Sequence, residues 1–172
     1  ERLSADAQDM AVSDLRPGSN EGRDRLLGIE RLAFSDGALA LDTGADGIAG
    51  QAYRIYRAAF DRAPDQGGVG FWIAQMDKGV SLTAIAAGFI ASKEFADLYG
   101  SAPSNADLVT RMYKNILHRD PEPGGSAFWL DLLETNKADR PTVLAAISES
   151  LENQAAVAEL IANGIAYAPY GG

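Results

Sequence analysis

Two arginines stand in matching surroundings at a constant offset of 57 residues, Arg62 ahead of Pro64-Asp65 and Arg119 ahead of Pro121-Glu122. Each is followed by a tryptophan, Trp72 and Trp129, the two tryptophans of the chain. A guanidinium beside a carboxylate can hold a sugar hydroxyl or a ligand carboxylate through paired N–H donors. An indole offers a face on which a sugar can stack. Arg62, Asp65, Trp72, Arg119, Glu122 and Trp129 are therefore the candidate ligand-binding set. Each also has an architectural reading. The arginine can pair with Asp65 or Glu122, or with the free carbonyls at a helix end, and so pin a turn. The tryptophan can pack into a core. A role present twice in one chain is more often architectural, and that weighs against the ligand.

Other chemistry is narrowed by composition. Zero cysteines excludes disulfides, thiolate zinc sites and cysteine nucleophiles together. The single histidine, His118, excludes a site needing two imidazoles; it aligns with Asp61 in the other copy, which points to a solvated or turn-bonded side chain. There is no Gly-x-Ser-x-Gly elbow, phosphate loop or dinucleotide fingerprint. The 24 acidic residues leave a carboxylate-pair hydrolase as a minor alternative. A net charge of −9 and a pI near 4.5 argue against nucleic acid and anionic membranes as partners. No apolar run approaches the roughly 20 residues that span a bilayer.

The elements that must position these residues divide near residue 50. Residues 1–50 read as a small β or irregular segment. Val12 and Leu15 sit in a short apolar stretch before a loop at 16–22. Leu26, Leu27, Ile29, Leu32 and Phe34 lead to Ser35-Asp36-Gly37 and then to Ala38-Leu39-Ala40-Leu41, a hairpin signal in which Gly37 supplies positive φ. Residues 42–47 (DTGADG) read as a linker. Residues 51–172 carry apolar side chains at helical spacing, with Gly/Pro punctuation at 63–68, 99–103 and 120–125.

Within that helical part YRAAFDRAPDQGGVGFW aligns without a gap to YKNILHRDPEPGGSAFW, Tyr56 falling on Tyr113. After a shift of one residue, Ser92 and Glu94 fall on Ser150 and Glu152. This is a duplication. In each copy a helix ends at the Arg, since Pro two residues later prevents continuation. Asp65 or Glu122 then caps the next helix, which carries the Phe-Trp pair, and a third helix ends near Ser-x-Glu. The expected fold is mainly α: two duplicated three-helix units, about 51–104 and 105–172, packed as one bundle behind a short β-hairpin.

The repeated Tyr-Arg-x-x-Phe/Leu-x-Arg-x-Pro-Asp-x-x-Gly-x-x-x-Trp, followed by Ser-x-Glu-Phe and a Tyr-Gly, resembles the family called domain of unknown function 4214, over residues 53 to about 155. The second copy departs from the pattern at Glu122 and at Ser150-Leu-Glu-Asn, so a ligand role in the first copy does not transfer to it. The resemblance implies a large bacterial protein exported by type I secretion, extracellular or on the cell surface, with the secretion machinery as a partner. Residues 28–42 are similar to the strand segment that closes a calcium-binding glycine-rich array. That brings in calcium, with Asp24 in Gly22-Arg-Asp24-Arg-Leu26 as its candidate ligand; a solvated aspartate is the stronger reading. Asp36, Asp42 and Asp46 lack the spacing of an EF-hand loop. The opening at Glu1, without Met or a basic-apolar signal segment, reads as a piece of a longer protein. The tail LIANGIAYAPYGG resembles the ending of an exported protein, or else is a frayed last helix. The function expected is non-catalytic: glycan or surface binding and adhesion, with a structural cap and export region as the alternative.

Overall fold

The computed structural model describes residues 9–13 and 22–171. Leu15 and residues 16–21 of the loop expected at 16–22 lie outside the described residues. Four strands come first: β1 (Asp9–Ser13), β2 (Arg23–Leu27), β3 (Arg31–Phe34) and β4 (Gly37–Ala40). The first unit then holds α1 (Ile48–Phe60), α2 (Gln66–Asp77), α3 (Leu82–Ile90) and α4 (Lys93–Tyr99). The second holds α5 (Asn105–Ile116), α6 (Pro123–Glu134), α7 (Arg140–Ser148) and α8 (Leu151–Ala158). A 3-10 turn (Glu159–Ile161) leads to β5 (Ile165–Tyr167).

The chain is mainly α and duplicated, but each unit has a fourth helix beyond the three expected. Ser92 and Ser150 open a further helix rather than ending the run. Their hydroxyls accept the N–H of Phe95 and Asn153, and Glu94 and Glu152 fall in the first turn, where the helix dipole favours an acid. The same device starts α3 at Ser81, α5 at Ser104 and α7 at Asp139. Helices α1 and α5 stop at equivalent left-handed residues, Asp61 (φ 49°) and His118 (φ 52°). Pro64 and Pro121 lie just beyond. The one-residue shift in the repeat sits in the connection before the third helix, residues 78–81 in one unit and 135–139 in the other.

Helix α1 is the common wall. It packs on α2, α3 and α4 of its own unit and on α5, α7 and α8 of the other. Ile55, Ile85, Leu108, Met112, Leu144 and Ile147 are fully buried, so one core serves both units.

The β segment departs from expectation in three ways. The β3–β4 hairpin turns at Ser35-Asp36, but Gly37 has no positive φ; it is already the first paired residue of β4, opposite Phe34. The 42–47 stretch is a clamp rather than a slack linker. Asp42 accepts the Ala49 N–H through Oδ2 at 3.1 Å and pairs with Arg31. A Cβ on Gly47 would stand 2.0 Å from the Asp42 carbonyl oxygen, so only glycine admits this approach. Lastly, the tail is not a continuation of the last helix beyond its 3-10 turn. It returns as β5 to pair antiparallel with β4, Leu39 opposite Ala166, making the sheet β3-β4-β5. The β segment and the helical part are thus tied by the 42–49 clamp and by the returning strand.

One ionic contact holds three of these parts together. Arg54, in the middle of α1, is 2% exposed. Its Nε and Nη2 donate to Glu149 between α7 and α8, Nη2 to Oε2 at 2.6 Å; Nη1 and Nη2 also donate to the Gly44 and Ala45 carbonyls at 3.2 and 2.7 Å. Desolvation pushes the Glu149 carboxyl above its ordinary value, with Arg54 opposing. Replacing Arg54 by Met leaves Glu149 and two carbonyls without their donor. Arg54→Met is expected to lose about 3 kcal/mol in urea unfolding, the scale of a broken buried pair. A loss of under about 1 kcal/mol, the scale of a surface pair, contradicts this placement.

Candidate functional site

The repeat residues assemble into two copies of one cluster. At the end of α1 the Arg62 guanidinium lies over the Tyr56 ring, Cζ 4.9 Å from its centroid. It forks onto Glu94 at the start of α4, Nε to Oε1 at 2.7 Å and Nη2 to Oε2 at 3.2 Å. At the end of α5, Arg119 lies 5.0 Å from the Tyr113 centroid and forks onto Glu152 of α8 at 2.7 and 2.8 Å. The first helix of each unit is thereby laced to its fourth. The fork is a planar bidentate match, and the ring beneath adds a cation–π contact. Both clusters face solvent, Arg62 and Glu94 being 45% and 43% exposed.

The expected partner was Asp65 or Glu122. In the first unit the partner is Glu94, because Asp65 turns to its own helix and accepts the Gly68 N–H at 2.7 Å as N-cap of α2. In the second unit Glu122 sits at the N-cap position of α6 but makes no side-chain cap bond. Its extra methylene carries the carboxylate to Arg119, which then holds Glu122 and Glu152 together. A Cβ on Gly125 would stand 2.3 Å from both Glu122 Oε1 and the Tyr113 hydroxyl, so this glycine gives the carboxylate its room.

Electrostatics follow the forks. Hydrogen bonding to Glu94 and to Glu152 raises the already high pKa of Arg62 and Arg119, which stay cationic. Arg119 holds Glu122 and Glu152 below the ordinary glutamate value. Burial raises the Tyr56 hydroxyl, with Arg62 opposing.

Neither tryptophan is a free platform. Trp72 is half-buried with its ring 4.7 Å from Phe89 and 4.7 Å from Phe71, both edge-on. Trp129 is half-buried against the core beside Phe128. The units differ at the neighbouring Phe. Tyr170 of the tail packs edge-on to Phe71 at 4.9 Å, whereas Phe128 is 56% exposed. His118 sits in its left-handed turn with Nε2 3.8 Å from Asp61 Oδ1, so the two aligned residues face each other across the units. Asp24 is exposed in β2, opposite Val12. Among the described residues no group of three or more His, Asp or Glu converges on a cation position.

The structure brings together Arg62 with Glu94, and Arg119 with Glu122 and Glu152; it does not bring the tryptophans to the arginines as one cleft. Arg54 and Glu149 were not anticipated. A signal existed, since Arg54 aligns with Arg111 in the same 57-residue register. The copies then diverge: Arg111 donates instead to the Leu98 carbonyl at 2.9 Å.

A carboxyl whose pKa is lowered on folding stabilises the fold above its unfolded pKa, and that contribution is lost as pH falls through the folded value. The stability gap between the native chain and Glu152→Gln is therefore expected to be full at about pH 7 and to shrink as the pH falls below the ordinary glutamate value of 4.5. Thermal unfolding across that range checks it, and a gap unchanged down to about pH 3 would sink the assignment.

Comparison with curated proteins gives no match, and neither does comparison with solved structures. A family model, Domain of unknown function (DUF4214), matches twice, over residues 51–98 and 86–157. The first match runs from within α1 to within α4, and the second from within α3 to within α8. With both Tyr–Arg–Glu clusters inside the matched span, which exceeds half of its length, the chain belongs to the DUF4214 family.

Proposed function

We propose that this chain is a non-catalytic structural module, a cap that closes a β segment with its own C-terminal strand, acting outside the cell in a bacterial protein exported by type I secretion. The observation that carries the reading is the return of the tail. β5 completes the β3-β4 sheet, and beyond it the Ala168 N–H donates to the Gln66 carbonyl at 3.0 Å. Two glycines are shaped to this path. A Cβ on Gly70 would stand 2.0 Å from the Ala168 oxygen, and Gly164 takes φ +99° with the Ala40 oxygen 2.9 Å from a Cβ position. A closure that recruits glycines from α2 and from the turn before β5 is specified by the sequence.

Glycan or surface binding through Arg62, Trp72 and their counterparts is the second reading. It is weaker because both guanidinium forks already grip a glutamate and both indoles pack on the core. The hydrolase alternative is weaker still. A carboxylate pair divides acid and base work when its environments push the two pKa values apart. Glu122 and Glu152 instead share one arginine that lowers both. Glu149, which is raised, is gripped by Arg54.

Deleting residues 164–172 is expected to raise hydrogen exchange at residues 37–40 at least about tenfold while α1 and α5 keep their protection. Unchanged exchange there would remove the basis for the cap. A glycan array probed with the intact chain, in calcium and in chelator, separates the second reading. Binding that Arg62→Ala or Trp72→Ala abolishes in a folded chain would replace the cap with a recognition module.

A further inference from the structure

Duplication supplies each surface of one unit with a control in the other. In the Ser92/Ser150 register Lys93 aligns with Leu151 and Asp97 with Ala155. On α4 those positions form a solvated i, i+4 ion pair, Lys93 Nζ to Asp97 Oδ2 at 2.6 Å. On α8 they are apolar, and Leu151 is 84% exposed. Leu151, Ala155 and Ala158 fall on one stripe at i, i+4 and i+7. They line a cleft of about 330 Å³, whose facing wall is Thr43, Gly44 and Ala45. The fold itself does not require an apolar face here, since the first unit builds the same helix with a charged one.

Charge indicates what the cleft fits. Arg54 lines it, but the guanidinium is already gripped by Glu149 and by the Gly44 and Ala45 carbonyls. The exposed charged residues directly following the lining are acidic: Asp46 after Ala45, and Glu159 after Ala158. Glu152, next to Leu151, is paired with Arg119. A second copy of the chain would set −9 against −9 and one acidic rim against another. The complementary occupant has an apolar side chain between cations. We propose that the α8 cleft docks a basic polypeptide segment, its apolar anchor against Leu151, Ala155 and Ala158 and its flanking Lys or Arg residues against Asp46 and Glu159.

The probe is the peptide acetyl-Lys-Lys-Leu-Leu-Lys-Lys-amide, titrated into the isotope-labelled full chain and followed by NMR. Its counterpart with Glu in place of Lys is the control. Saturable, salt-sensitive shifts are expected at Leu151, Ala155 and Ala158 with the basic peptide and none with the acidic one. Leu151→Lys combined with Ala155→Asp gives α8 the ion pair that α4 already carries, so the fold is expected to persist while binding weakens at least about tenfold. No saturable shift at millimolar basic peptide, equal response to the acidic peptide, or unchanged binding by the double variant overturns the proposal. So does concentration-dependent self-association, measured by sedimentation, that the double variant abolishes; the occupant would then be a second copy.

Discussion

A guanidinium placed in the middle of a buried helix constrains everything around it. Arg54 is permanently charged, and removal from water is tolerable only where an anion and carbonyl oxygens replace its hydration. Glu149 supplies the anion from the junction of α7 and α8, and the 44–45 backbone supplies the carbonyls. Those two demands come from opposite directions in sequence, so α1 must lie between the N-terminal segment and the second unit. Close approach of the 43–45 backbone then requires a glycine on the helix. A Cβ on Gly50 would stand 2.7 Å from the Thr43 oxygen, one turn before the arginine. Charge thus fixes the arrangement that apolar burial alone, being non-directional, would leave free to slide.

The two units share a scheme and fill it differently. Phe95 of α4 stacks on Tyr99, with ring centroids 4.0 Å apart, and the Tyr99 hydroxyl donates to the Ala58 carbonyl. Their partners in α8 are Asn153 and Val157, both buried; Asn153 donates to the Ser148 carbonyl at 2.7 Å. The aromatic pair fills the space under α1 and the amide instead satisfies the end of α7. Arg54 and Arg111 diverge in the same sense, one bound to a half-buried carboxylate and the other to a helix-end carbonyl. The interior chemistry therefore differs where the units meet different neighbours.

Much of this was legible in the sequence because it is local. The helix ends expected at Arg62 and Arg119 come a few residues earlier, at Phe60 and Ile116, but the prolines beyond them and the Gly/Pro punctuation act locally as read. The fourth helices were missed although Ser92, Glu94, Ser150 and Glu152 were aligned, because Ser-x-Glu marks a helix start as readily as an end of the preceding one. The Arg62 partner was misread for a physical reason. Asp65 is three residues away and looked available, but its short side chain is better used on the Gly68 N–H, and the fork's true partner lies on α4. The return of β5 was illegible, since the three-residue strand Ile165–Tyr167 is too short to show a periodicity; only its landing sites, Gly70 and Gly164, carry the trace.

Agreement and difference between the units carry separate information. Where they agree, at Tyr–Arg–Glu, the residues lace the first helix to the fourth, a task that both units must perform to fold. An exposed ion pair by itself contributes little, but a bidentate fork over an aromatic ring fixes a crossing geometry. Such residues look functional in a sequence, being polar, repeated and surface-exposed, and that resemblance to a site comes from the geometry they enforce. Where the units differ, the shared fold makes no demand and the residue answers to its surroundings: the tail over Phe71 but not Phe128, the ion pair on α4 but apolar side chains on α8. Work particular to this chain is therefore to be sought at the mismatched positions, and the matched ones belong to the scaffold that presents them.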